Sequence, residues 1–212
     1  MNGARGVEER FELKLKIPGG EFGAYLFDCD GTVVDSMPLH YLAWQQALAE
    51  WKCDFSEEIF YAWGGMPVAE VIGRLNRERG LQMPVAEVEA RKENLYYERL
   101  PQLRPVPEVI EHINAMYGKI PFAVVSGSTR ESVVKSLEAT KLMERFNTMV
   151  CAGDYQKGKP DPEPFLLAAS RLGVSPETCL VFEDAEIGIR AATAAGMASV
   201  KVPSPMERKA AG

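Results

Sequence analysis

Short apolar runs alternate with amphipathic stretches along most of this chain. Runs at 24–28, 122–126, 148–152, 179–183 and 198–202 have the length and composition of buried β-strands. Helical patterns separate the last four. Ser128-Thr129-Arg130-Glu131 is a capping-box sequence that predicts a helix starting directly after Ser126. A second helix is expected over about 163–172, ending at Gly173, and a third after Asp184, ending near Gly196. A further helix is expected over 107–117. Strands alternating with helices predict an α/β fold with a Rossmann-like parallel sheet.

The stretch between the first two strands breaks this rhythm. A parallel crossover needs a dozen or more residues, whereas this one runs from residue 29 to residue 121. Apolar positions at helical spacing fill it: Leu39, Leu42, Ala43, Ala47 and Trp51; then Val68, Val71, Ile72 and Leu75; then Val85, Val88 and Leu95 with Leu100. Residues 37–103 therefore read as an inserted helical cap domain, and 1–36 with 104–212 as the catalytic core. Pro101 and Pro105 mark the return linker. Residues 10–17 alternate polar and apolar, as a half-exposed strand does.

Composition narrows the class. With 46% hydrophobic residues in 212, the chain can bury a sizeable core. A net charge of −6 argues against a nucleic-acid partner. No apolar run reaches the roughly 20 residues needed to span a bilayer, and residues 1–10 lack a secretory apolar stretch. Cys29, Cys53, Cys151 and Cys179 show no metal-ligand spacing. They read as buried thiols in a reducing, cytoplasmic setting. Nothing in the pattern specifies an oligomeric state.

The candidate chemistry lies at strand ends. Asp28 and Asp30, in Asp28-Cys29-Asp30-Gly31-Thr32, share one side of an extended strand just where Gly31 lets it turn. Two buried carboxylates need a cation or hydrogen-bond donors. The pair suits a Mg²⁺ site beside a carboxylate nucleophile, and taken alone it equally suits a solvated turn with an Asp helix cap. Ser126, Lys159 in Gly158-Lys159-Pro160, and Glu183-Asp184 follow later strand-like runs. In open parallel sheets the ligand crevice lies at the carboxyl ends of the strands, so the four segments are expected to converge.

These segments resemble, in order, the four signatures of the haloacid dehalogenase superfamily: the run from Asp28 through Asp35-Ser36, then Ser126, then Lys159-Pro160, then Glu183-Asp184. The resemblance extends from about residue 22 to about 203. It is strongest to the β-phosphoglucomutase-like branch, and residues 181–197 are similar to bacterial fructose-1-phosphate phosphatases. The resemblance implies phosphoryl transfer on a small phosphorylated metabolite, a sugar phosphate. Asp28 would be the nucleophile and Asp30 the acid/base, its pKa lying above that of Asp28. Mg²⁺ would sit on Asp28, the backbone carbonyl of Asp30, Asp184 and Glu183, the last directly or through water. Ser126, Gly127, Ser128, Thr32 and Lys159 would hold the phosphoryl group.

On the cap, the resemblance puts His40, Gly65 and Lys92 against substrate, with Lys92 able to pair across the cleft. Trp44 and Trp63 are expected in the cap core, and His112 is expected to be structural. Two other functions fit less well. A hexose phosphomutase of this branch carries a cap-loop Lys before a Gly and an Arg three residues after it. With that Gly aligned to Gly65, Gly64 and Val68 stand there instead. A non-catalytic phosphosugar-binding protein would not need the full charged set.

Overall fold

The computed structural model describes residues 15–210. Five parallel strands form one sheet: β1 (Ala24–Phe27), β2 (Phe122–Thr129), β3 (Thr148–Ala152), β4 (Cys179–Glu183) and β5 (Ala198–Lys201). Their order across the sheet is β3-β2-β1-β4-β5, which puts β1 at the centre. All five expected strands are present. Four agree within a residue, whereas β2 continues to Thr129 and its register against β3 shifts between Val125 and Thr129. Such an irregularity re-aims side chains at a strand end, here those of Ser126 and Ser128.

Strand alternation sorts the core into two layers. Tyr25 and Phe27, with Phe122, Val124, Leu180 and Phe182, face one side, where they meet Val109 and Ile113 of α5 (Pro107–Met116) and Val133 and Leu137 of α6 (Arg130–Ala139). Ala24 and Leu26, with Ala123, Val125, Cys179 and Val181, face the other. There they meet Phe165, Ala168 and Ala169 of α7 (Glu163–Leu172) and Ala191 and Ala192 of α8 (Glu186–Ala194). The first layer is aromatic: the Phe27 and Phe182 rings stack at 4.7 Å. The alanines of the second layer let helices approach the strands closely. The four cysteines are buried and free, and His112 sits on α5 near the Phe182 ring.

Four helices form the cap between β1 and β2: α1 (Met37–Ala49), α2 (Glu57–Ala62), α3 (Val68–Arg79) and α4 (Val85–Tyr97). Trp44, Phe55, Phe60, Ile72, Leu75 and Val88 build a separate apolar cluster there. Helices α1 and α4 also send Ala43, Ala47, Leu95 and Tyr96 into the aromatic layer of the core. The cap therefore rests on the sheet layer as well as on its linkers. Helix α2 was not expected from apolar spacing. Its signal was capping: the Ser56 side chain accepts from the Ile59 N–H at 3.3 Å, and Glu57 and Glu58 occupy the first turn.

Three expectations need correction. Leu42 and Trp51 are exposed, because the buried stripe of α1 runs through Leu39, Ala43 and Ala47. Thr129, not Ser128, caps α6, accepting from the Ser132 N–H at 3.3 Å. The expected strand at 10–17 falls partly outside the described residues. Within them, Leu15 and Ile17 pack on the core without joining a strand.

Candidate active site

The strand ends converge as the parallel sheet requires. Asp28 leaves β1, and its N–H donates to the Phe182 carbonyl at 3.0 Å, which carries the ladder one residue past the strand. Gly31 turns the chain at φ +92°, and a Cβ there would lie 2.2 Å from Asp184 Oδ2. Glycine is needed at this position for both backbone and space. Asp28, Asp30, Ser126, Gly127, Ser128, Lys159, Glu183 and Asp184 all line one cavity of about 410 Å³, closed on the opposite side by the cap.

Lys159 is buried and makes three hydrogen bonds. Its Nζ donates to Asp28 Oδ1 at 2.7 Å, to Glu183 Oε2 at 2.7 Å and to the Val125 carbonyl at 3.0 Å. An ammonium has three protons, so all are committed here. Burial alone would lower its pKa, but the two carboxylates outweigh burial and raise it. Lys159 therefore stays charged.

Asp28, Glu183 and Asp184 each offer a carboxylate oxygen, all within 4.8 Å of one another. Lys159 neutralises only part of this charge. The pKa of Asp28 is consequently raised well above its usual value, by burial first and by Glu183 next. Asp184 is pushed up to about 7 for the same two reasons. Its side chain accepts from Thr32 Oγ1 at 3.3 Å. Buried, all-oxygen and short of positive charge, the cluster fits a hard cation such as Mg²⁺.

Asp30 is not part of that cluster. Ser36 Oγ donates to its Oδ1 at 2.6 Å, Ser128 Oγ to its Oδ2 at 2.7 Å, and His40 Nε2 lies 3.2 Å from Oδ1. Burial would raise its pKa, but hydrogen bonds from His40, Ser36 and Ser128 hold it well below the usual carboxylate range. The two acids thus sit in different surroundings. Asp30 gathers three donors that the linear sequence keeps apart, while Asp28 faces two other carboxylates.

A buried chain continues from Asp30 into the cap. Lys92 Nζ lies 2.9 Å from His40 Nδ1 and donates to Glu93 Oε1 at 2.7 Å. Lysine can only donate, so Nδ1 accepts and Nε2 carries the proton given to Asp30. Burial and the Lys92 charge keep the ring neutral by lowering its pKa. His40 therefore supports Asp30. Lys92 is tied to His40 and Glu93, and both His40 and Lys92 line the cavity.

The remaining expected site residues divide. Ser126 accepts the Ser128 N–H at 3.0 Å and is almost wholly buried. Gly65 lines the cavity at φ +82°, where a Cβ would lie 2.5 Å from Ile187 Cδ1. A Cβ on Gly127 would lie 3.1 Å from the Gly65 carbonyl oxygen, so cap and core backbones meet there. Thr32 is a correction: it is fully buried, does not line the cavity, and instead supports Asp184. Trp44 is buried in the cap cluster and the half-buried Trp63 packs against it; both also line the cavity, and the Arg74 guanidinium lies 4.1 Å over the Trp63 ring.

Several site residues were missed. Tyr61, Met66, Ile187, Lys201, Ser204 and Met206 all line the cavity. Gly188 was missed too, and it leaves a readable sign, a glycine near the start of a helix. A Cβ there would lie 2.1 Å from Glu183 Cδ and Oε2. Gly188→Ala must therefore move the Glu183 carboxylate off Lys159. Overpacking of this kind costs about 1–3 kcal/mol. The expected result is a lower melting temperature and loss of Mg²⁺-induced stabilisation, both readable by scanning calorimetry. A wild-type melting curve with and without Mg²⁺ would contradict it.

Comparison with known proteins gives a consistent picture. The profile of haloacid dehalogenase-like hydrolases matches residues 25–202. The chain is 34% identical to fructose-1-phosphate phosphatase YqaB of Escherichia coli over 184 residues, covering 85% of this chain and 96% of that protein. It is 28% identical to β-phosphoglucomutase of Bacillus subtilis over 187 residues, covering 84% and 82%. Among solved structures, CbbY from Rhodobacter sphaeroides in complex with phosphate superimposes with a TM-score of 0.78 at 25% identity, covering 88% of each chain. The strand-end carboxylates, the lysine between them and the inserted cap thus have a common origin: this chain belongs to the haloacid dehalogenase-like hydrolase family.

Proposed function

We propose that this protein is a Mg²⁺-dependent phosphatase that hydrolyses a small sugar phosphate through an aspartyl-phosphate on Asp28. The observation that carries the reading is the placement of Asp28 and Asp30 on one cavity, backed by Lys159, Glu183 and Asp184 and covered by the cap. In this reading residues 37–103 are the cap, and 1–36 with 104–212 are the core. A cytoplasmic setting agrees with four buried free thiols. Among the described residues, no helix is long and apolar enough to cross a membrane.

Asp28, Glu183 and Asp184, with the backbone carbonyl of Asp30, would hold the metal. Bound there, Mg²⁺ supplies charge neutralisation to the phosphoryl oxygens and lowers the repulsion among the three carboxylates. Asp28 Oδ attacks phosphorus, the ester P–O bond breaks, and the leaving oxygen takes a proton. Asp30 is placed to give up that proton, which requires that it enter the complex protonated, as the anionic phosphoryl group beside it and the loss of water favour; it later accepts one from the water that hydrolyses the aspartyl-phosphate. His40, Ser36 and Ser128 hold it in position. Ser126 and the N–H groups after it bind a phosphoryl oxygen.

The mutase reading requires cap cations to hold a sugar bisphosphate while it turns. Gly64 and Val68 line the cavity at the positions where those cations would stand. Lys92 is already tied to His40 and Glu93. Water should therefore outcompete a sugar hydroxyl for the phosphoryl group. The test is phosphate release over a panel of sugar phosphates, in Mg²⁺ and after exhaustive chelation. β-Glucose 1-phosphate with a catalytic amount of the 1,6-bisphosphate is followed in parallel. We expect free phosphate, lost on chelation and restored by Mg²⁺. Rapid glucose 6-phosphate formation with little free phosphate would make the enzyme a mutase, and full activity after chelation would remove the metal from the mechanism.

A further inference from the structure

The described chain ends in a short helix, α9 (Pro205–Ala210), that lies beyond the segment matching the family, which stops at 202. It is nonetheless part of the cavity, since Ser204 and Met206 line it. Met206 is 48% exposed, although a large apolar side chain is favoured inside.

A helix of six residues is not stable by itself in water, so its position must come from specific ties. Ser204 and Glu207 cap it reciprocally: the Ser204 N–H donates to Glu207 Oε2 at 2.6 Å and the Glu207 N–H to Ser204 Oγ at 3.3 Å. Pro205 is buried. Arg208 does most of the anchoring. It donates to Asp35 Oδ1 at 2.7 Å, to the Gly31 carbonyl at 3.3 Å and to the Pro203 carbonyl. One guanidinium thus joins α9 to the turn that follows Asp30.

The cap contributes Met37, Tyr61, Trp63 and Met66 to the same cavity. Tyr61 Oη is buried and has no hydrogen-bond partner. Together with Met206 these cap side chains give the cavity an apolar share of wall beside its charged strand ends, with Lys201 and Ser204 next to Met206 as polar lining. Such an arrangement suits a leaving group with an apolar ring face and a hydroxyl.

Resting on the phosphatase reading above, we propose that α9 is a core-side specificity wall: Met206 contacts the C–H face of the sugar leaving group, and Arg208 positions that wall. Met206 then discriminates between esters by their organic group and has no part in the phosphoryl chemistry. Arg208 acts through Gly31 and Asp35 and is a positioning residue.

The test uses the full-length protein and two substrates. One is the sugar phosphate that the wild type cleaves fastest in the screen, and the other is acetyl phosphate, which has no ring. The readout is the ratio of kcat/KM for the sugar ester to kcat/KM for acetyl phosphate within each variant. Met206→Ala and Met206→Glu should lower this ratio by about 10-fold or more, chiefly through KM of the sugar ester. Arg208→Ala should lower it similarly, and Arg208→Lys, which keeps the pair with Asp35, should recover part of the loss. If Arg208→Ala fails to fold, as a melting curve would show, the two Met206 variants decide. A ratio within about twofold of wild type in folded Met206→Glu overturns the wall, whatever the wild-type rate. A wild-type protein that releases phosphate from neither substrate overturns the phosphatase reading instead, and the wall with it.

Discussion

Asp28→Asn is expected to abolish covalent phosphorylation and to lower turnover on the order of 10⁴–10⁶-fold, the range seen when a nucleophile acting as part of a unit is removed. The amide keeps the volume of the carboxylate and can still accept from Lys159 through its oxygen. It cannot form the acyl phosphate. The fold should survive for an electrostatic reason. Asp28 is one of three carboxylates crowded within 4.8 Å, and the repulsion that raises its pKa disappears with its charge. The metal-free variant should therefore melt no lower than metal-free wild type, while Mg²⁺ should stabilise it less. Acid-quenched intact-mass analysis reports the phosphoryl adduct, and calorimetry reports the melting temperature. A purified variant with near-normal phosphate release would remove Asp28 from the role of nucleophile.

Lys159→Met should have the opposite effect on stability. Removing this cation leaves Asp28 and Glu183 buried, each having lost a 2.7 Å ion pair. Breaking one side of a buried pair costs about 3–5 kcal/mol, because the remaining charge is left uncompensated. For a chain of this size that corresponds to a fall in melting temperature of roughly 6–20 °C. Saturating Mg²⁺ should recover part of the fall, since it supplies positive charge to the same oxygens. Combining Lys159→Met with Asp28→Asn should cost less than the sum of the single changes, because the two residues share one interaction. Activity should be lost in both. A Lys159→Met protein melting within about 2 °C of wild type would mean that the carboxylates are neutralised some other way.

The candidate site was legible where chemistry follows from strand periodicity. Asp28 and Asp30 share a side because successive strand residues alternate, and the other charged groups follow strands whose ends must gather in a parallel sheet. Roles were less legible than positions. Thr32 sits in a recognisable motif, yet whether it faces the cavity or Asp184 depends on how the turn after Gly31 folds against β4. Lys92 sits on a helix whose pattern is readable, but its partners His40 and Glu93 are set by the packing of α1 against α4. The donors that reach each carboxylate are equally hidden in the sequence: Ser128 reaches Asp30 from 98 positions away.

By itself the sequence determined the five-stranded α/β core, the inserted helical cap, the four strand-end motifs and the absence of a long apolar span. Local rules carry these features, because a strand run, a capping box or a glycine turn acts within a few residues of itself. Tertiary structure alone decided that Thr129 rather than Ser128 caps α6, that Lys159 is held by two carboxylates and a carbonyl, that Gly188 makes room for Glu183, and that Arg208 ties α9 to the turn at Gly31 beside the cavity. Each of these depends on side chains from separate elements meeting at distances of a few ångströms. Such meetings are settled by how helices and strands pack, and neighbouring positions along the chain carry no record of them.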